Sequence, residues 1–171
     1  MCRLRAVLIA AGLLALSAPA SAQIDSLSVS LLPAAVSFTL TPNSATNAGS
    51  VAIAATTTWS VLLPTRTAVT LYGYFSSASS ALVHTAPTNT VNIPSSRVQV
   101  SVNGGASAPF DQTVVFGAAN AGRLLATQAI TAFNPSGNRT DTLTLNIDLN
   151  GYSLPADTYV GTLRIRAQAT P

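Results

Sequence analysis

The sequence predicts an all-β protein, a single β-sandwich of about eight or nine antiparallel strands. Three observations carry that expectation. Apolar and small or polar residues alternate with period two along most of the chain, which sends successive side chains to opposite faces of a sheet. Of 171 residues, 48% are hydrophobic and only 8% charged, and the charges are eight Arg and five Asp with no Lys and no Glu. Surface helices rely on Lys, Glu and Gln, and disordered chains are richer in charge, so both are disfavoured. Turn residues recur at short, regular intervals between the alternating runs. A closed barrel is the structural competitor.

Residues 1–22 read as a signal peptide. Arg3 and Arg5 form a positive start, Ala6 to Leu16 is apolar apart from Gly12, and Ala20-Ser21-Ala22 supplies a small-x-small cleavage site. The apolar run is shorter than the about 20 residues that a membrane-spanning helix needs. Cleavage after Ala22 leaves one domain, residues 23–171. The whole-chain charge of +3 then falls, because the six remaining Arg are set against the same five Asp. Those Arg are scattered, so no phosphate-tracking surface forms and nucleic acid is not an expected partner. Cys2, the only cysteine, leaves with the leader, which excludes a disulfide, a thiolate nucleophile and a cysteine metal site in the remainder.

The elements follow in order. Leu27, Val29 and Leu31 alternate with Ser26, Ser28 and Ser30, and Val36, Phe38 and Leu40 continue after Pro33. Residues 43–50 read as a loop. Val51, Ile53, Ala55, Thr57, Trp59, Val61 and Leu63 hold every odd position and are expected to face the core together, with Pro64 ending the run. Val69, Leu71, Gly73 and Phe75 form the next inward row, with Tyr72 and Tyr74 on the opposite face. Serine-rich and proline-bounded loops cover 76–80 and 86–96. Val98, Val100 and Val102 lead into Asn103-Gly104-Gly105, a hairpin turn in which Asn and Gly tolerate positive φ. Strands are expected at Thr113–Phe116 and Leu124–Phe133, with a turn over Asn134–Asn138. Leu143, Leu145, Ile147 and Leu149 resume the alternation until Asn150-Gly151. Tyr159, Gly161, Leu163, Ile165 and Ala167 make the last strand, with Thr162, Arg164 and Arg166 facing water.

The segment Leu154-Pro155-Ala156-Asp157-Thr158-Tyr159-Val160-Gly161-Thr162-Leu163 is the one local signature. A tyrosine opening a strand, shortly after a turn, fits a tyrosine corner, in which the phenol bonds back to the upstream backbone. Gly161 falls where antibody domains carry a cysteine, and Trp59 supplies a large inner aromatic. Trp59, Tyr159 and Gly161 are therefore expected to be architectural residues of an Ig-like β-sandwich. The ending also resembles the closing strand of secreted bacterial sandwich proteins of the spore-coat-U and chaperone–usher pilin type, whose usual form is Pro-Ala-Gly-Thr-Tyr-x-Gly/Asp-Thr-Leu/Val. The resemblance covers the leader, the overall length and roughly the last twenty residues. It implies an extracellular fibre or coat in which one subunit lends an extended segment to the sheet of the next. Two features depart from that type: pilins usually carry a disulfide, and Asp157 stands where the motif has glycine.

No constellation for catalysis is legible. His84 is the only histidine and sits in an expected loop, and no Gly-x-Ser-x-Gly elbow exposes a serine. Asp141 and Asp148 lie at opposite ends of one expected strand, roughly 23 Å apart at about 3.3 Å per residue, too far for paired carboxylate chemistry. No Asp-x-Asp or His-x-His pair offers a metal site. The expectation is a non-enzymatic protein without catalytic residues, cofactor or metal.

What remains is a structural or adhesive protein of the periplasm or cell surface. Lysine and other charges guard exposed sheet edges, and their scarcity here favours strand addition between subunits, with itself or another surface subunit as partner. Leu27, Val29 and Leu31 form the candidate donor strand, or else the first strand of their own domain. The alternative is a carbohydrate-binding module in which Tyr72 and Tyr74 form a platform for a polysaccharide.

Overall fold

The computed structural model describes residues 2–7, 9–10, 25–111 and 121–171. The expected strand Thr113–Phe116 and the cleavage site at Ala20–Ala22 lie outside the described residues. Two strands come from the leader region, β1 (Cys2–Val7) and β2 (Ile9–Ala10). They are followed by β3 (Ser26–Leu32), β4 (Ala35–Leu40), β5 (Asn47–Ala48), β6 (Ile53–Ser60), β7 (Ala68–Phe75) and β8 (Val83–His84). Then come β9 (Val98–Val102), β10 (Ala108–Pro109), β11 (Ala121–Ala129), β12 (Ser136–Ile147), β13 (Tyr159–Gly161) and β14 (Arg164–Thr170). The sole helical piece among the described residues is a 3-10 turn at Ser95–Arg97. The protein is all-β, as the alternation requires.

One layer runs β10-β9-β12-β6-β3, with β5 attached to β12. The other side comprises β11-β7-β14-β2 and β4-β1-β13-β8. These two sheets are continuous along the chain, because β13 runs into β14 through Thr162 and Leu163, and β1 precedes β2 by one residue. Inward side chains of both sides form one cluster. Ile53, Val98, Val100, Leu143, Leu145 and Ile147 from the first layer meet Val36, Phe38, Leu71, Phe75, Tyr159 and Ile165 from the second. Phe75 meets Phe110 edge to face at 5.3 Å between ring centres. A smaller cluster of Trp59, Val61, Val69 and Ile130 closes one end, where the Trp59 indole N–H donates to the Asn134 carbonyl at 3.1 Å. Trp59 thus faces inward as its spacing implies.

The inward rows at Val36–Leu40, Val69–Phe75 and Leu143–Leu149 are buried as read. The Asn103-Gly104 turn has φ of 52° and 74° at its two residues and returns the chain to pair β10 with β9. Other expectations need correction, all at element ends. Val51 and Leu63 are 45% and 38% exposed, so the odd-numbered row faces the core only from Ile53 to Val61. Its strand stops at Ser60, not at Pro64, because Val61 and Leu62 turn their N–H groups to Pro135 O and Asp25 Oδ1. β11 ends at Ala129, and Phe133, expected in that strand, is 98% exposed in a turn. That turn is tied by Asn134, whose side-chain oxygen accepts the Thr131 N–H at 2.6 Å. The residues expected to turn, Ser136 to Asn138, instead open β12 opposite Thr58–Ser60, where the Trp59 ring lies close against Gly137. Within 43–50, Asn47–Ala48 pairs with β12.

One polar device inside the sandwich has no apolar signal to announce it. Asp141 occupies an inward position of β12, is 1% exposed, and accepts from Arg139 Nη2 and Asn103 Nδ2, both at 2.7 Å. Arg139 also reaches across to the Thr127 carbonyl on β11 at 2.9 Å, linking the two layers. Removing one partner of such a pair leaves an uncompensated charge, whereas replacing both with apolar groups is far milder. Arg139→Met, which leaves the buried Asp141 carboxylate without its cation, is therefore expected to cost about 3 kcal/mol in urea denaturation. The double replacement Asp141→Leu with Arg139→Met is expected to recover most of that loss.

Candidate functional site

The feature that sets this sandwich apart is the place of β1 in the second layer. It lies between β4 and β13, antiparallel to β4 through six residue pairs from Cys2–Leu40 to Val7–Ala35. It is parallel to β13 at Arg5–Val160 and Ala6–Gly161. β2 continues parallel to β14 at Ile9–Arg164 and Ala10–Ile165, with the same offset along the chain. Arg5–Ala6 and Ile9–Ala10 therefore follow the closing strand at one offset. Along the flanking strands the inward side chains are Val36, Phe38 and Leu40 on β4, and Tyr159, Leu163 and Ile165 along the closing strand, all buried. The register sets Leu4 opposite Phe38 and Ala6 opposite Val36, while Arg3 and Arg5 stand opposite the exposed Thr39 and Ser37. Among the described residues, β1 is the only strand that links β4 to the closing strand. Away from β1, β4 is held by Ser37 and Phe38 against Gly49 and Ser50.

The far wall is anchored by the local signature. Tyr159 is fully buried and its hydroxyl donates to the Pro155 carbonyl at 2.9 Å, the backward bond of a tyrosine corner. Asn89, in the loop after β8, donates both to that hydroxyl at 2.9 Å and to Asp157 Oδ2 at 2.8 Å. Asp157 further accepts the Ala86 N–H and the Thr85 hydroxyl. An aspartate at this position thus does what a glycine cannot: it ties the 85–89 loop to the start of β13. Gly161 is required by close approach, since a Cβ there would sit on the Ala81 carbonyl oxygen and the Leu82 side chain. Trp59, Tyr159 and Gly161 are accordingly structural in position.

The Asn89 side-chain hydrogen bond is the main cause that lowers the Asp157 carboxyl from 3.8 to about 2, helped by the Ala86 and Thr158 N–H groups and the Thr85 hydroxyl, against an opposing effect of burial. A carboxyl whose folded value is depressed adds stability above its unfolded value, and that contribution fades as pH falls toward the folded one. Asp157→Asn is expected to lower the urea midpoint near pH 6, with the gap to the parent protein closing between about pH 4 and pH 2. A constant gap across that window would contradict the assigned role.

The remaining sequence candidates are dispersed. Leu27, Val29 and Leu31 lie in a strand of their own domain: Ser26–Leu32 pairs with β6 from Ser26–Ser60 to Leu32–Ala54, and the three apolar side chains pack half-buried on the chain's own core. Tyr72 and Tyr74 do face outward on β7, in rows Leu124–Tyr72–Arg166 and Gly122–Tyr74–Arg164. Both are half-buried and already engaged by neighbouring groups. His84 is part of β8, not a loop, and its Nδ1 lies 3.0 Å from the Ala86 carbonyl oxygen. Among the described residues, no three His, Cys, Asp or Glu side chains gather as a metal site, and no helix is long and apolar enough to cross a membrane. Sequence reading missed Asn89 as the hub of the corner; its signal lies in a loop whose fold places it there, not in any local spacing. No protein-family model matches the chain and no curated protein matches it, so the slot between β4 and the closing strand must be read from its own geometry.

Proposed function

We propose that this chain is a secreted structural or adhesive subunit of the cell surface, a non-enzymatic Ig-like sandwich that joins a fibre or coat by strand addition. In this reading the leader is cut after Ala22, and the place of β1 and β2 in the second layer is filled by an extended segment from another polypeptide. The observation that carries it is the pairing of Cys2–Val7 with β4, together with the one offset at which Arg5–Ala6 and Ile9–Ala10 follow the closing strand. Removing one central strand exposes two rows of backbone N–H and C=O groups and uncovers inward side chains on both walls. Such groups demand partners, and an added strand supplies them along its whole length.

The charge pattern fits the same reading. The β4 wall carries Ser37 and Thr39 outward and no charged residue, so nothing on it repels an incoming strand. The resemblance of the closing strand to fibre- and coat-forming sandwich proteins points the same way. The carbohydrate-binding alternative draws on Tyr72 and Tyr74, whose rings are half-buried between neighbours instead of presented as an open platform.

Negative-stain microscopy of native surface material, with antibody against the 23–171 chain, tests the proposal. Labelled filaments or ordered layers are the expected outcome. Dispersed particles together with retention on an insoluble polysaccharide, lost on Tyr72→Ala with Tyr74→Ala, would replace it with the binding-module reading.

A further inference from the structure

Inside the sandwich, one polar atom lacks the partner that burial demands. Thr57 stands in the inward row of β6 between Ala55 and Trp59 and is 4% exposed. Its Oγ1 meets no hydrogen-bonding group among the described residues. β6 is a central strand, paired with β3 on one side and β12 on the other, so the backbone groups around Thr57 belong to the two ladders. A buried hydroxyl with no partner is worse for stability than a methyl group of the same shape in its place. Either this position is strained by its own chemistry, or something outside the chain completes it.

The register shows what lies beside it. Thr57 is opposite Arg139, and Ala55 is opposite Asp141. At this level the space between the layers is not filled: a cavity of about 10 Å³ remains, walled by Thr57, Asp141 and Arg139 together with Trp59, Val69 and Leu71. That is the scale of a single water molecule. The polar part of the wall has bonding capacity to spare. Arg139 Nε, Arg139 Nη2 and Asn103 Nδ2 donate to Asp141 at 3.0, 2.7 and 2.7 Å, and all of them reach Oδ1, leaving Oδ2 outside these bonds. Arg139 Nη1 donates to the Thr127 carbonyl, and the guanidinium carries more N–H donors than these bonds consume.

We propose that this cavity is a binding site for one ordered water molecule, which bridges Thr57 Oγ1 on β6 to Asp141 Oδ2 on β12. The water donates to the carboxylate and exchanges a second hydrogen bond with the hydroxyl, so both otherwise unused oxygens are satisfied at once. It extends the polar network that runs from Asn103 through Asp141 and Arg139 to Thr127 on the facing layer. A cation is a poor occupant, because Arg139 already balances the carboxylate and would repel a second positive charge. Cavities that stay dry are apolar, and this one has a carboxylate, a guanidinium and a hydroxyl in its wall. The proposal is independent of strand addition.

The test reads the sign of one substitution in two backgrounds. Urea unfolding of the full chain is followed by the fluorescence of Trp59, the only tryptophan. Thr57→Val is made in the parent chain and in the chain carrying Asp141→Leu with Arg139→Met. In the parent, the loss of the hydroxyl takes a partner from the water, and the midpoint is expected to fall. In the doubly replaced chain no carboxylate remains to hold a water, the hydroxyl stands alone, and Thr57→Val is expected to raise the midpoint. A raised or unchanged midpoint in the parent, or shifts of the same sign in both backgrounds, would overturn the proposal. A high-resolution crystal structure of the unaltered chain gives an answer that depends on no variant. Density for one water within about 3.2 Å of both Thr57 Oγ1 and Asp141 Oδ2 is expected. An empty cavity, or a water that reaches only one of the two oxygens, would overturn the bridge.

Discussion

A β-layer is held together by backbone hydrogen bonds that each strand must make on two sides unless it lies at an edge. In this molecule one strand, β1, supplies the connection between β4 and the closing strand, and it belongs to the residues that read as a leader. Every other feature takes its meaning from that fact. β4 carries Val36, Phe38 and Leu40 into the common core, yet among the described residues its backbone pairs, beyond β1, with Gly49 and Ser50 alone. The burial of these three residues holds β4 against the first layer, while β1 completes its ladder.

The rest of the fold frames the place of β1. The β12–β6–β3 ladder belongs to the facing layer, and Arg139, paired with Asp141 on β12, donates to the Thr127 carbonyl of β11 in the other. The far wall is pinned by Tyr159, Asn89 and Asp157, which bind the start of β13 to the 85–89 loop.

Much of this was legible in the sequence, and the limits have physical causes. Period-two rows such as Leu143, Leu145 and Ile147 depend only on strand geometry, so they read correctly without tertiary information. Tyr159 read correctly as a corner because its bond to Pro155 is local. Strand ends did not, since they are decided by partners distant in sequence: Val61 donates to Pro135 beyond the end of β6, and Ser136–Asn138 pairs with Thr58–Ser60. Asp141 was weighed only against Asp148, because its partner Asn103 meets it only in the folded sheet. The slot was visible only as weak edges and as a resemblance. Its position could not be read, because an apolar N-terminal run carries no signal for pairing; of the two readings of Leu27, Val29 and Leu31, the structure has the segment as a strand of its own domain, paired with β6.

The most direct measurement is amide hydrogen exchange on the full chain and on the chain cleaved after Ala22. If β1 fills a true gap, the amides of Ala35–Leu40 and Tyr159–Gly161 are protected in the full chain and exchange faster by orders of magnitude after cleavage, while β6 and β12 are unchanged. Equal protection of Ala35–Leu40 and Tyr159–Gly161 in both forms would mean that the layer closes on itself without an added strand, and the account would fail at its centre.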